Sequence, residues 1–210
     1  MIFWYSLASL SSLLLNMNFD QQTASSIWET VSEQLTNAAT SAQHPLHLFS
    51  LATISEEGLP HIRTVVLRKF QALERIIFFH TDIRSPKTRH IQAHNNVSLH
   101  WYSPSERLQI RIAAQAIVHH HNACAENAWL ASRPMSRACY TSTHPPGTPI
   151  KSFPPAPPVP NETDRSGFNV FAVVACHFET IELLSLHASG HQRVRLHFGN
   201  SSPALEILAP

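Results

Sequence analysis

The chain has 210 residues, of which 43 % are hydrophobic and 14 % charged. That is enough apolar material for a real core, and one domain is the expectation at this length. Fifteen Lys and Arg stand against fourteen Asp and Glu, which removes any net-charge attraction to nucleic acid. Cys124, Cys139 and Cys176 are odd in number and show no C-x-x-C spacing. A disulfide framework and a thiolate zinc site are both disfavoured, and a reducing, cytoplasmic location is expected.

Residues 1–15 read MIFWYSLASLSSLLL. This run lacks the basic start and the small-residue cleavage site of a secretory signal. It is also shorter than the ~20 apolar residues a membrane span needs, so no membrane partner is expected. Two readings stay open: residues 1–16 are an extension ahead of a start at Met17, or they are a weak surface anchor or added helix. The domain itself is taken as 17–210.

A helix is expected over 26–40, opened by the capping-box pattern of Ser26 and Glu29 and carrying Ile27, Val31 and Leu35 on one stripe. Strands follow from Leu46. In the second of them Ile62, Thr64 and Val66 alternate with Arg63, Val65 and Leu67, so the two sets face opposite ways. A third strand covers 75–80. Ser85-Pro86-Lys87 reads as a helix start, Ser at the cap and Pro in the first turn. Strands are predicted at 97–103 and 107–118; in the latter Leu108, Ile110, Ile112, Ala114 and Ala116 alternate with Gln109, Arg111, Ala113 and Gln115. Residues 123–140 read as helical with a break at Pro134. Residues 144–160 hold eight prolines in seventeen positions, which excludes ladder and helix alike and predicts an extended surface loop. Strand patterns resume at 168–178, 181–186, 192–198 and 205–208. The strands on either side of the loop are too few for two cores, so the expected fold is mainly β, one antiparallel barrel with flanking helices.

Charge is unevenly placed. Between Arg63 and Arg111 nine basic side chains meet only Glu74, Asp82 and Glu106. Arg63 and Arg68 bracket an apolar strand segment, and Lys87 follows a helix-start signal, where backbone N–H groups favour an anion. A compact phosphate pocket is the reading this supports. The three consecutive histidines His119, His120 and His121 cannot converge from one strand on a single ion, so no metal site is expected. No Gly-x-Ser-x-Gly elbow supports a hydrolase.

Five blocks in order, namely Arg63 to Arg68, Phe79 to Lys87, Asn96 to Leu99, Arg107 to Arg111, and Ser132-Arg133-Pro134 with Ser136, together with His191-Gln192-Arg193 and the closing Leu208-Ala209-Pro210, resemble the pyridoxamine 5′-phosphate oxidase-like FMN-binding split-barrel family. The resemblance implies a split barrel that forms a homodimer and binds FMN between subunits. It implies that Arg63, Thr64, Val65, Val66, Leu67 and Arg68 line the flavin and that Arg63 and Lys87 hold its phosphate. Thr81 and Ser85 would help hold that phosphate, Gln109 would touch a polar edge of the ring, and Arg193 would approach from the C-terminal region. His80, beside this pocket, is also taken as a cofactor contact. Arg133 and Ser136 are candidates for substrate contact.

The chain also departs from the family pattern. Arg68 stands for a lysine, Pro86 for an arginine, Leu184 for a tryptophan, Ser189 near the place of an arginine, and Trp129 for a tyrosine. Losing two or three charge-assisted contacts, each worth roughly 1.5–3 kcal/mol, weakens the case for pyridoxamine-phosphate chemistry. The resemblance therefore implies an FMN-dependent oxidoreductase with an unassigned small-molecule substrate. A non-catalytic flavin-binding or sensing module and an authentic pyridoxamine 5′-phosphate oxidase are the alternatives.

Overall fold

The computed structural model describes residues 18–161, 163–187, 190–199 and 202–210. The proposed extension 1–16 and start at Met17 lie outside them, as does Ser189.

Among the described residues ten strands build one antiparallel sheet: β1 (Leu48–Ile54), β2 (Pro60–Val66), β3 (Lys69–Gln71), β4 (Ile76–Asp82), β5 (Asn96–Ser103), β6 (Leu108–His119), β7 (Phe171–His177), β8 (Thr180–His187), β9 (Gly190–His197) and β10 (Ala204–Leu208). Four helices accompany them: α1 (Ala24–Thr40), α2 (Pro86–Ala93), α3 (Ala123–Ala131) and α4 (Pro134–Arg137). The long strand β6 organises the sheet. Its first part pairs with β8 over Leu108 to Arg111, and its last part pairs with β7 over Gln115 to His119. One route from β6 therefore curls through β7 and β4, while the other runs out through β8, β9 and β10. On its opposite edge β6 pairs with β5, and the sheet continues through β1 to β2.

The curl closes where the chain leaves β2. Leu67 N–H donates to His47 O, and one residue later Arg68 N–H donates to Phe78 O at 2.9 Å. β3 then pairs with β4. A single extended run thus changes partners between Leu67 and Arg68, from the β1 side to the β4 side. This is the split barrel expected from the resemblance.

The interior follows from side-chain alternation. Phe49, Leu51, Val65, Leu67, Ile77, Phe79, Leu99, Trp101, Ile110 and Ile112 are buried in one cluster, closed on one side by Ile27, Val31 and Leu35 of α1. The buried Trp101 Nε1 is satisfied by Leu46 O at 2.9 Å, as an apolar interior requires. A second cluster lies on the other face of β4 and β7, where Phe78, Phe171, Val173 and Ala175 pack against Trp129 and Ala125 of α3.

Several boundaries differ from the sequence reading. α1 begins at Ala24, with Thr23 as its cap in a reciprocal box with Ser26, so Ser26 is the third helical residue and not the cap. A hydroxyl at both ends of that spacing serves as well as the Ser26–Glu29 pair, and the sequence offers both. The short β3 has no alternation long enough to mark it in the sequence, and Phe168–Val170 forms a 3-10 turn ahead of β7. The proline-rich stretch 144–160 contains no helix or strand, and strands from both sides of it join the same sheet.

The chain returns from this loop at Gly167. A Cβ there would stand 2.8–2.9 Å from the Cβ, C and O atoms of Tyr140, and backbone does not yield to such a contact. Gly167→Ala is therefore expected to cost about 1–3 kcal/mol by overpacking, read as a lowered urea midpoint with an unchanged slope.

Candidate functional site: a cationic barrel end under a helix

One end of the barrel brings four predicted residues together. Arg63, on β2, lies opposite Leu51 of β1 and shares the inward face with Val65 and Leu67. Its Nη1 donates to Thr53 Oγ1 at 2.7 Å, to His61 O at 3.1 Å and to Leu51 O at 3.2 Å. Thr81 leaves β4 on the face of Ile77 and Phe79, and its hydroxyl lies 3.2 Å from Ser85 Oγ. Ser85 caps α2 without a side-chain bond to the helix, and Pro86 fills the first helical position. Lys87, in the first turn, donates through Nζ to Thr81 Oγ1 at 3.1 Å.

Two positive groups therefore approach each other at a helix start. Burial, and then the charge of Arg63, push the Lys87 ammonium below its usual range, with Asp82 opposing. Burial also lowers Arg63. Cations crowded and half-desolvated in this way, beside two hydroxyls and a helix N-terminus, form a setting that an anion stabilises. A dianionic phosphate fits the donor set.

The remaining predicted residues divide. Val65 and Leu67 are core residues, so only their backbone is open to a ligand, whereas Thr64, Val66 and Arg68 point outward. His80 lies on the face of β4 opposite Thr81, edge-on to Phe171 at 4.9 Å. Burial and the nearby Arg68 push its pKa down to about 3, so the imidazole is neutral and stands apart from the phosphate cluster. Gln109 and Arg193 sit on the outer face of the sheet in one cross-strand row, with Gln109 opposite Leu184 and Leu184 opposite Arg193. Glu182 Oε1 accepts from Arg193 Nη2 at 2.6 Å and also pairs with Arg111, while its second oxygen pairs with Arg195. Arg133 is exposed and Ser136 half-buried around the start of α4.

Reading the sequence missed Thr53, His61 and His90, which surround Arg63. It also missed Tyr140, whose phenol is raised by burial while the charge of Arg68 opposes that shift. No local motif marks these residues; only strand register and the packing of α2 bring them in. Among the described residues no His, Cys, Asp and Glu group could hold a metal, and no helix is long and apolar enough to cross a membrane.

Comparison with known proteins bears on the fold and the cofactor. Residues 25–120 match the family model "Pyridoxamine 5'-phosphate oxidase, FMN-binding domain". A pyridoxine/pyridoxamine 5′-phosphate oxidase of Xylella fastidiosa is 41 % identical over 87 residues, 40 % of each chain. One of Brucella anthropi is 26 % identical over 123 residues, 58 % of each chain. The matched stretch thus spans less than two thirds of these relatives' length. Among solved structures, a pyridoxamine 5′-phosphate oxidase-related FMN-binding protein of Nostoc punctiforme superposes with a TM-score of 0.72 at 22 % identity, covering 87 % of this chain and 97 % of that one. PhzG of Burkholderia lata gives 0.68 at 17 % identity, covering 93 % and 98 %. Both share the fold. Residues 25–120, a little under half of the chain, are thus similar to the FMN-binding domain of pyridoxamine 5′-phosphate oxidases, and FMN is the cofactor this match supports. Arg63, Thr81, Ser85, Lys87 and Gln109 fall inside the matched segment; Arg133, Ser136 and Arg193 fall outside it.

The Lys87 environment sets a pH dependence. Its ammonium is charged below its lowered pKa and neutral above it. FMN affinity is therefore expected to hold through neutral pH and to fall as pH rises through a midpoint below the ordinary lysine value. In Lys87→Met that alkaline limb disappears and affinity at pH 7 drops roughly 10- to 100-fold, as for loss of one charge-assisted contact. Fluorescence quenching of FMN across a pH series measures both.

Proposed function

We propose that the protein is an FMN-dependent oxidoreductase acting on a small organic substrate and working as a homodimer. The observation that carries this reading is the crowded cationic pair Arg63 and Lys87, with the Thr81 and Ser85 hydroxyls beside it. In this role Arg63 and Lys87 neutralise the flavin phosphate and the two hydroxyls complete its hydrogen bonds. A bound flavin supplies the electron transfer; the chain binds it, orients it and shields it.

The homodimer part rests on direction. The phosphate cluster belongs to the barrel end under α2, while Gln109 and Arg193 stand on the outward face of the sheet. One chain leaves these two groups facing different ways. A two-fold pair sets the row of one protomer against the cluster of the other. The same outward face leaves Leu48, Ile62 and Tyr102 exposed, and apolar side chains spread over a sheet face suit a self-complementary interface.

The substrate is proposed to differ from pyridoxamine phosphate. Trp129, at the family's tyrosine position, is 1 % exposed and walled in by Tyr140, Phe168 and Phe171, so it offers no hydroxyl to an anion. Pro86 has no cationic side chain to add to Lys87. Arg133 and Ser136 remain the proposed substrate contacts, in a solvent-accessible position beside α4. The same losses favour the second reading, a flavin-binding module without turnover.

Purified protein is expected to be yellow, to run as a dimer and to reduce its flavin with a nicotinamide or amine donor, followed by absorbance bleaching. Colourless protein that fails to quench FMN fluorescence contradicts the proposal. Bound flavin that no donor in a broad screen reduces supports the module without turnover instead.

A further inference from the structure

Thr53 and His90 are buried polar residues that the phosphate-binding reading leaves unused. Thr53 lies on the inward face of β1, opposite His61 in the register. Thr53 is 1 % exposed and His90 8 %. Thr53 Oγ1 takes the shortest of the three bonds from Arg63 Nη1, 2.7 Å, and lies 3.1 Å from His90 Nδ1. The other two acceptors of Nη1 are main-chain carbonyls.

We infer that Thr53 and His90 act as a positioning relay for the Arg63 guanidinium, so that its free edge faces the flavin phosphate; this rests on the phosphate-binding reading above. Arg63 only donates, so Thr53 Oγ1 must accept from it, which leaves the hydroxyl proton free. Among the described residues that proton has one neighbour placed to take it, His90 Nδ1. An imidazole protonated at Nε2 therefore fixes the hydroxyl rotor and keeps a Thr53 lone pair aimed at Nη1. With Nη1 tied to three fixed oxygens, the guanidinium plane is set, and Nε and Nη2 are left for a ligand.

The surroundings keep His90 in that accepting form. The groups facing it are His61 and Arg63 from β2, Arg89 from its own helix, and Glu57 from the β1–β2 turn. Burial and the three basic groups favour the neutral ring, and only Glu57 opposes them. The His61 ring covers it at 4.7 Å. His90 also lies three residues beyond Lys87, so it shares a helix face with it. One face of α2 thus delivers the second cation and the group that orients the first.

The test is a double-mutant cycle read with two ligands, FMN and riboflavin, which differ only in the phosphate. Thr53→Val keeps the shape and removes the hydroxyl, and His90→Leu removes the acceptor. Each is expected to weaken FMN roughly five- to tenfold while leaving riboflavin affinity unchanged. Thr53→Ser is expected to restore FMN affinity to about the wild-type value. In an Arg63→Met background Thr53→Val is expected to cause no further loss. An equal loss for riboflavin, a full Thr53→Val effect without Arg63, or no Thr53→Val effect in a protein that still prefers FMN each overturns the relay. A wild-type protein that binds both flavins equally instead overturns the phosphate-binding reading and the relay with it. Thermal unfolding of each variant separates misfolding from lost aim, and Thr53→Ser against Thr53→Val gives the same answer if His90→Leu does not fold.

Discussion

Two positive charges held near each other, with no ion-pair partner among the described residues, are the constraint on which this site depends. Arg63 comes from β2 and Lys87 from α2, and both are pushed toward their neutral forms. Asp82, the acidic group that acts on Lys87, spends its carboxylate on Arg84 at 2.7 Å. A fold tolerates such crowding when hydrogen bonds and a bound anion offset it. Here carbonyls and hydroxyls satisfy part of the donor set and leave the rest for a phosphate. The chain switches from β1 to β4 between Leu67 and Arg68, and at the same barrel end Arg63 of β2 acts on Lys87 of α2, which bonds Thr81 of β4.

The same closure explains why a block of six residues cannot act as one surface. Along β2 the side chains alternate, so Arg63 turns to the cationic end, Val65 and Leu67 enter the core, and Thr64, Val66 and Arg68 face out. His80 and Thr81 are separated by the same parity on β4. Arg68 then belongs with His80 and Tyr140 on the far side of β4, in a setting distinct from the phosphate cluster. The two arginines that bracket TVVL thus serve different neighbourhoods, although they are only five positions apart.

Much of the architecture was legible because half-buried strands write their orientation into the sequence. The alternation in β6 gives Leu108, Ile110 and Ile112 to the core and leaves Gln109 and Arg111 outside, and the prolines of 144–160 exclude regular structure by their chemistry alone. Helix caps were less legible, since Thr23 and Ser26 both carry hydroxyls and only the geometry selects Thr23. In the site, Arg63, Thr81, Ser85 and Lys87 could be marked through resemblance. Thr53 and His90 could not, because their partners lie 10 and 37 positions away and no motif joins them. The branching of β6 between β7 and β8 was equally hidden, as pairing partners leave no trace in a strand's own pattern.

A crystal structure of the protein with FMN tests the central claim most directly. The account predicts phosphate oxygens within hydrogen-bond reach, about 2.7–3.2 Å, of the Arg63 guanidinium and the Lys87 ammonium, with the Thr81 and Ser85 hydroxyls beside them. A flavin whose phosphate lies elsewhere, with both cations still turned to water, contradicts it.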